Sequence, residues 1–279
     1  MVKYITKWGI DMYEKVKKIY YDRELYIIGA LDCFGVPHTP DNVESKSYID
    51  MVSEELTLNG IYVNYVNMHS IGCNKTWSLK KIIDSDYQKQ EYYNLNYLQS
   101  KKAVNTKNVF PFPMSPNFLE RYYSNTDNPN LKVTSHYTDA INPIFFYSCG
   151  QMNMHHYMKM GTHDISKVIP QMLFHFNQNF KKTICDVKEM IDYLISLNPT
   201  VKIYVFGVYP MFQSYAIRKI LLPIYRYANI EVKKLCDSYS NVFFVDVIDN
   251  INFVAKDDCH PNYLGQCNMK KKVLKMLNY

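Results

Sequence analysis

Five short, nearly continuous apolar runs, separated by segments with helical periodicity, constrain the fold of this chain more than any other feature. The runs are ELYIIGA (24–30), GIYVNYVN (60–67), PIFFYSCG (143–150), VKIYVFGVYP (201–210) and NVFFVDV (241–247). Each is rich in β-branched or aromatic residues, the pattern of strands buried on both faces of a parallel sheet. The segment 45–60 carries Tyr48, Met51, Val52 and Leu56 at helical spacing and ends in Gly60, a suitable residue just past a helix C-terminus. The segment 164–199 reads as one long helix, capped by Asp164 or Ser166 and stopped by Asn198-Pro199, with Pro170 tolerable near the first turn or as a kink. A third helical pattern covers 216–241, with a break expected at Pro223, and a fourth covers 262–278. Strands alternating with helices imply right-handed crossovers, and hence an α/β fold, a three-layer α/β/α sandwich on a five-stranded parallel sheet. In such sheets the reacting groups collect at the carboxyl ends of the strands.

At 279 residues and 47% hydrophobic content the chain has ample core for one domain spanning 1–279. One region breaks the rhythm. Residues 80–140 contain YYNLNYLQSKK, FPFPMSPNF and SNTDNPN, too much chain for an ordinary crossover. This insertion is either an irregular surface excursion or a cover over the strand ends, in which case Phe110, Phe112 or Tyr122 would line a substrate pocket. The net charge of +6 is spread along the chain, and the run Lys270-Lys271-Lys272 falls on a helical pattern where it is expected to face solvent, so no nucleic-acid partner is expected. Seven cysteines without a pairing rhythm fit a reducing compartment. The first 25 residues lack an apolar core of signal-peptide type, and no segment approaches ~18 uninterrupted apolar residues. The expectation is a cytoplasmic protein with no membrane span. Nothing in the sequence speaks to its oligomeric state.

The chemistry-bearing residues follow the strand runs. The first run leads into GALDCFGVPHTP (29–40), the second into NMHSIGCNKT (67–76) and the third into CGQMNMHH (149–156). Near the C-terminus, AKDDCHPNYLGQ (255–266) holds Asp257 and His260 in an Asp-x-x-His arrangement, suited to a catalytic dyad on one loop. Four connections meeting at one sheet edge can assemble a nucleophile, oxyanion donors and a base. Simpler roles exist for each residue. Cys33 can be a small apolar filler at a strand end, Gly72 can serve a tight turn, Asn153 can cap a helix, and His260 can be a loop or cap histidine. Cys73 and Cys149 lie near the same connections and are read as packing, with Cys149 an alternative nucleophile. MHHYMKMGTHD (154–164) offers His155, His156, His163 and Asp164, but at poor spacing for a metal site, so neither metal nor cofactor is expected. No Gly-rich loop follows the first run, which argues against nucleotide binding.

The order of these anchors resembles the SGNH, or GDSL-like, hydrolase family. That family has a Gly-Asp-Ser nucleophile turn, a Gly after strand two, a Gly-x-Asn after strand three and a C-terminal Asp-x-x-His-Pro. NMHSIGCNKT matches the second block with Gly72, and DDCHPN matches the fourth with Asp257 and His260. GVPHTPDNVESKSYIDMV is similar to the stretch that follows the nucleophile turn in one bacterial branch, and NPIFFYSCG resembles the third-block strand. The resemblance covers nearly the whole chain and implies the SGNH-hydrolase, flavodoxin-like architecture. Two anchors depart from the pattern. Aligned without gaps, GALDCFG places Ala30 and Leu31 at the Asp-Ser pair, whereas a two-residue slip places Asp32 and Cys33 there. In GQMN the gap-free position of the Asn is Met152, and Asn153 fits with a one-residue slip. The resemblance therefore implies one of two things. The first is an acyl hydrolase or acyltransferase with Cys33 as nucleophile, His260 as base, Asp257 as its orienting partner, and Gly72 and Asn153 as oxyanion donors. Its substrate would be a small-molecule or carrier-bound acyl ester or thioester. The second is a protein that kept the fold without the chemistry and binds an acyl chain, a glycan or a protein partner.

Overall fold

In the computed structural model the described residues are 23–29, 47–67, 144–148, 165–210, 212, 214–254 and 261–279. The elements in chain order are β1 (Arg23–Gly29), α1 (Tyr48–Leu58), β2 (Ile61–Asn67), β3 (Ile144–Ser148), α2 (Ile165–Leu197), β4 (Lys202–Phe206), α3 (Tyr215–Asp237) and β5 (Val242–Val245). A short 3₁₀ helix (Ile248–Asn252) and α4 (Tyr263–Met276) complete the described chain. The fold is of the α/β class. The strands hydrogen-bond in the order β2-β1-β3-β4-β5, and every pairing is parallel.

The described side chains of β3, β4 and β5 sort by parity into two apolar layers. Ile203 and Val205 of β4 join Tyr147 and Val242 under α2 and α3, where they meet Val187, Ile191, Leu194, Leu221, Tyr225 and Val232. Tyr204 and Phe206, one residue out of phase, join Ile144, Phe146 and Val245 under α1 and α4, against Tyr48, Val52, Leu56, Met269 and Val273. A sheet apolar on both faces must be covered on both, which is why these runs do not alternate with polar residues. Aromatic rings fill much of the second layer. Tyr48 meets Phe206 edge-on at 5.0 Å, and Tyr204 stacks on Phe146 at 5.3 Å and on Phe243 at 5.1 Å. Such pairs add about 0.5–1.5 kcal/mol each beyond the area they bury.

Helix boundaries follow local chemistry. Gly60 ends the α1–β2 turn at φ 77°, a conformation that costs a residue with a Cβ. Ser214 caps α3, its side chain accepting from the Ile217 N–H. Pro223 does not break α3 as its sequence suggests, because the helix continues from Tyr215 to Asp237 around it. The proline is exposed, and so is Lys219, whose carbonyl loses its usual partner, so water can satisfy that group while buried Leu221 and Tyr225 hold the inner face to the sheet. Pro170 lies early in α2, also on an exposed position. The insertion expected at 80–140 lies outside the described residues, as do Phe110, Phe112 and Tyr122.

Candidate active site at the carboxyl edge of the sheet

The winding of the sheet fixes where a site can form. From β1 the chain crosses through α1 to β2 on one side, and the sheet then continues from β3 on the other side of β1. Residues 30–46 lead from β1 to α1, on one face, and residues 149–164 lead from β3 to α2, on the opposite face. In an open parallel sheet a switch point of this kind, where successive crossovers go to opposite faces, is the usual ligand position. The register aligns the ends of β1 and β2, Gly29 with Asn67, and of β3 and β4, Ser148 with Phe206, while β3 runs two residues past β1, since Ile28 pairs with Phe145.

Cys33, Gly72, Asn153, Asp257 and His260 all lie outside the described residues, and so do Leu31, Met152 and Cys149. The anchors of their connections are described. Cys33 follows the end of β1 by four residues, Gly72 follows the end of β2 by five, and Asn153 follows the end of β3 by five. All three connections therefore leave from the carboxyl edge.

The segment with Asp257 and His260 is bracketed by described residues that are joined to each other. Val254 and Pro261, which bracket residues 255–260, form an antiparallel bridge. The Asn262 N–H donates to the Phe253 carbonyl at 2.7 Å. Asn262 then caps α4, its side-chain oxygen accepting from the Gly265 N–H at 3.0 Å. Gly265 has no room for a side chain: a Cβ there would lie 2.7 Å from the Pro261 Cβ and 3.1 Å from the Phe253 carbonyl oxygen. Upstream, Asp246 accepts from the Ile248 N–H, and Lys272 donates to the Asp246 carbonyl at 2.6 Å and to the Asp249 carboxylate at 2.5 Å.

The first turn of α4 is joined to the first turn of α1. The side-chain oxygen of Gln266, fully buried, accepts from the backbone N–H of Tyr48 at 2.7 Å. Further along, Lys270 of α4 pairs with Glu55 of α1 at 2.9 Å. The two helices therefore run parallel, side by side, with both N-termini at the carboxyl edge. The Lys270 ammonium holds the Glu55 carboxyl below the usual range, through their hydrogen bond first and charge attraction second. A depressed carboxyl pKa stabilises the fold above the unfolded value, and that contribution is lost as pH falls through the folded one. Two lysines of the 270–272 run are thus engaged within the chain.

A third fixture lies beyond β4. The Asn229 side chain of α3 accepts from the Val208 N–H at 2.7 Å and donates to the Val208 carbonyl at 2.9 Å. Its amide occupies the space a side chain would need at residue 207, since a Cβ on Gly207 would lie 2.7 Å from the Asn229 oxygen.

Sequence reasoning missed Gln266, Gly265 and Asn229. Asn262 carried a readable signal, a capping residue directly before a helical pattern. Among the described residues no three His, Cys, Asp or Glu side chains group as metal ligands, and no helix is long and apolar enough to cross a membrane.

No protein-family model matches the chain, and no curated protein matches it. Solved structures do. A candidate GDSL-like lipase from Parabacteroides merdae superposes with a TM-score of 0.51 at 12% identity, covering 92% of this chain and 96% of its own. An extracellular lipase from Streptomyces rimosus gives 0.49 at 11% identity, with 92% and 98% covered. A catalytic variant of an acetylxylan esterase from Geobacillus stearothermophilus gives 0.42 at 14% identity, with 92% and 94% covered. The first of these carries the comparison, and at such identity it speaks to architecture alone. The chain has the SGNH/GDSL-like hydrolase fold.

Proposed function

We propose that the protein is an acyl hydrolase or acyltransferase of the SGNH type that acts on an ester or thioester through a covalent acyl-enzyme on Cys33. The observation that carries this reading is the anchoring of all four motif-bearing connections at the carboxyl edge of a sheet with this fold. The chemistry asks for little more than the residues those connections contain. His260 takes the thiol proton as the Cys33 sulfur bonds to the acyl carbon, and it returns that proton to the departing alcohol or thiol. Water, or an acceptor alcohol, then attacks the acyl-cysteine. His260 removes its proton and gives it back to the Cys33 sulfur as the product leaves. Asp257 orients the imidazole and stabilises its charged form. The Gly72 N–H and the Asn153 side-chain amide face the oxyanion, about 3 kcal/mol for each well-placed donor. A thiolate suits this role because its pKa falls beside a protonated histidine. The whole chain acts as one domain in this account.

A second reading has a specific motive: the gap-free alignment puts Leu31, which cannot attack a carbonyl, at the nucleophile position. Under it the protein binds an acyl chain, glycan or protein partner without turnover. Hydrolysis of p-nitrophenyl acetate and of a short acyl thioester separates the two. The wild type is expected to turn over with saturation, and Cys33→Ala to fall to the uncatalysed rate. Turnover that survives Cys33→Ala removes the cysteine mechanism, and a wild type with no turnover on either substrate class favours the binder.

A further inference from the structure

We propose that Gln266 is a positioning residue: it caps helix α1 from helix α4, and so locks the connection that ends at α1 to the connection that ends at α4. This rests on the catalytic reading above, in which those connections carry the nucleophile and the dyad.

The first N–H groups of a helix have no partner within it. In α1 the Ser47 carbonyl accepts from the Met51 N–H at 3.1 Å, which makes Ser47 the cap residue and Tyr48 the first helical residue. The Tyr48 N–H is buried, so the protein must supply an acceptor for it. A cap of this kind usually comes from the residue next to the helix. Here the acceptor comes from Gln266, 218 residues away in sequence. Gln266 is itself in the first turn of α4, where its own backbone N–H bonds to the Asn262 carbonyl at 2.9 Å. One side chain thus fixes two helix N-termini against each other.

The lever arms on either side are short. Tyr48 follows the connection 30–46 by two residues, and Gln266 follows residue 260 by six. Between residue 260 and Gln266 the backbone has little freedom, because of the Val254–Pro261 bridge, the Asn262 cap and the crowding at Gly265. A displacement of α4 against α1 is therefore carried to the base of 255–260 instead of being absorbed. A shift of ~1 Å between reacting groups can cost on the order of 100-fold in rate. Gln266 touches no reacting atom in this account. Its effect is on where the two connections stand.

The test uses the full chain with Gln266→Met, which keeps length but has no comparable acceptor, and Gln266→Glu, which keeps the acceptor at two helix N-termini that favour negative charge. Each is assayed on p-nitrophenyl acetate, corrected to the folded fraction from a urea curve. Gln266→Met is expected to lower kcat at least 10-fold with KM within about 2-fold, and Gln266→Glu to recover most of the loss. A stability change with kcat per folded molecule unchanged in Gln266→Met overturns the positioning role, as does a Gln266→Glu no better than Gln266→Met. Amide hydrogen exchange keeps the test independent of activity. If the wild type proves inactive, the catalytic reading fails. Faster exchange in Gln266→Met at Tyr48 and at Asn262 and Tyr263 together still supports the lock, and a change at Tyr48 alone overturns it.

Discussion

His260→Ala is expected to lower kcat/KM on a short-chain aryl ester by about 10³-fold, within the 10²–10⁴ range general acid–base catalysis supplies. In the proposed mechanism the imidazole takes the Cys33 thiol proton and supplies one to the leaving group, so its removal leaves both transfers unassisted. Asp257→Asn is expected to act in the same direction, because an amide favours the wrong imidazole tautomer and leaves the charged form unsupported. Neither substitution removes a member of the clamp formed by Val254, Pro261, Asn262 and Gly265, so the urea midpoints should stay close to wild type. Initial rates measured beside those midpoints separate catalysis from folding. An active wild type whose kcat/KM is unchanged in both variants would remove the dyad from the mechanism.

The largest expected loss of stability is in Asn229→Ala, about 2–4 kcal/mol. The substitution strips both hydrogen bonds from Val208, whose backbone groups are buried beyond the end of β4. Each buried group left without a partner costs about 1–3 kcal/mol. The void can admit water, which places the expected sum below the maximum. Asn229→Asp, which keeps the acceptor and loses the donor, should fall between wild type and alanine. Urea unfolding measures the series. A loss under about 1 kcal/mol in the alanine variant would mean that solvent satisfies Val208, and that the amide is not what holds this segment.

Val208 also shows how far the sequence could be read. The run VKIYVFGVYP spans 201–210, but β4 ends at Phe206, and Gly207 to Pro210 are buried without belonging to the strand. An apolar run reports burial on both faces. It does not report whether the neighbour is another strand or, as here, an asparagine side chain from α3. Pro223 gives the converse lesson. A local rule against proline in a helix yields when the residue faces solvent and the opposite face is packed. Burial of β4 on both faces was legible, and the structure then sorts Ile203 and Val205 to one layer and Tyr204 and Phe206 to the other.

The candidate site was legible as a set of positions along the chain, because motif residues follow strand ends at short distances. The fixtures that align those positions were not. Gln266 acts on a backbone N–H 218 residues away, and no local pattern encodes a contact of that span. Gly265 reads as an ordinary helical glycine until Pro261 is seen folded back against it. Asn262 was accessible because a capping residue is adjacent to the helix it caps.

The central claim is that sulfur at residue 33 carries the acyl group. Incubation with an acyl thioester donor, acid quenching and peptide mass spectrometry tests it most directly. The expected result is one acyl group on the peptide containing Cys33, formed within a turnover and absent in His260→Ala. Cys236 serves as the internal reference, since burial, and to a lesser degree the Asp237 charge, push its thiol up to about 12 and leave on the order of 10⁻⁵ of it ionised at neutral pH. Turnover without acylation of the Cys33 peptide, or acyl groups found on Cys149 instead, would contradict the account.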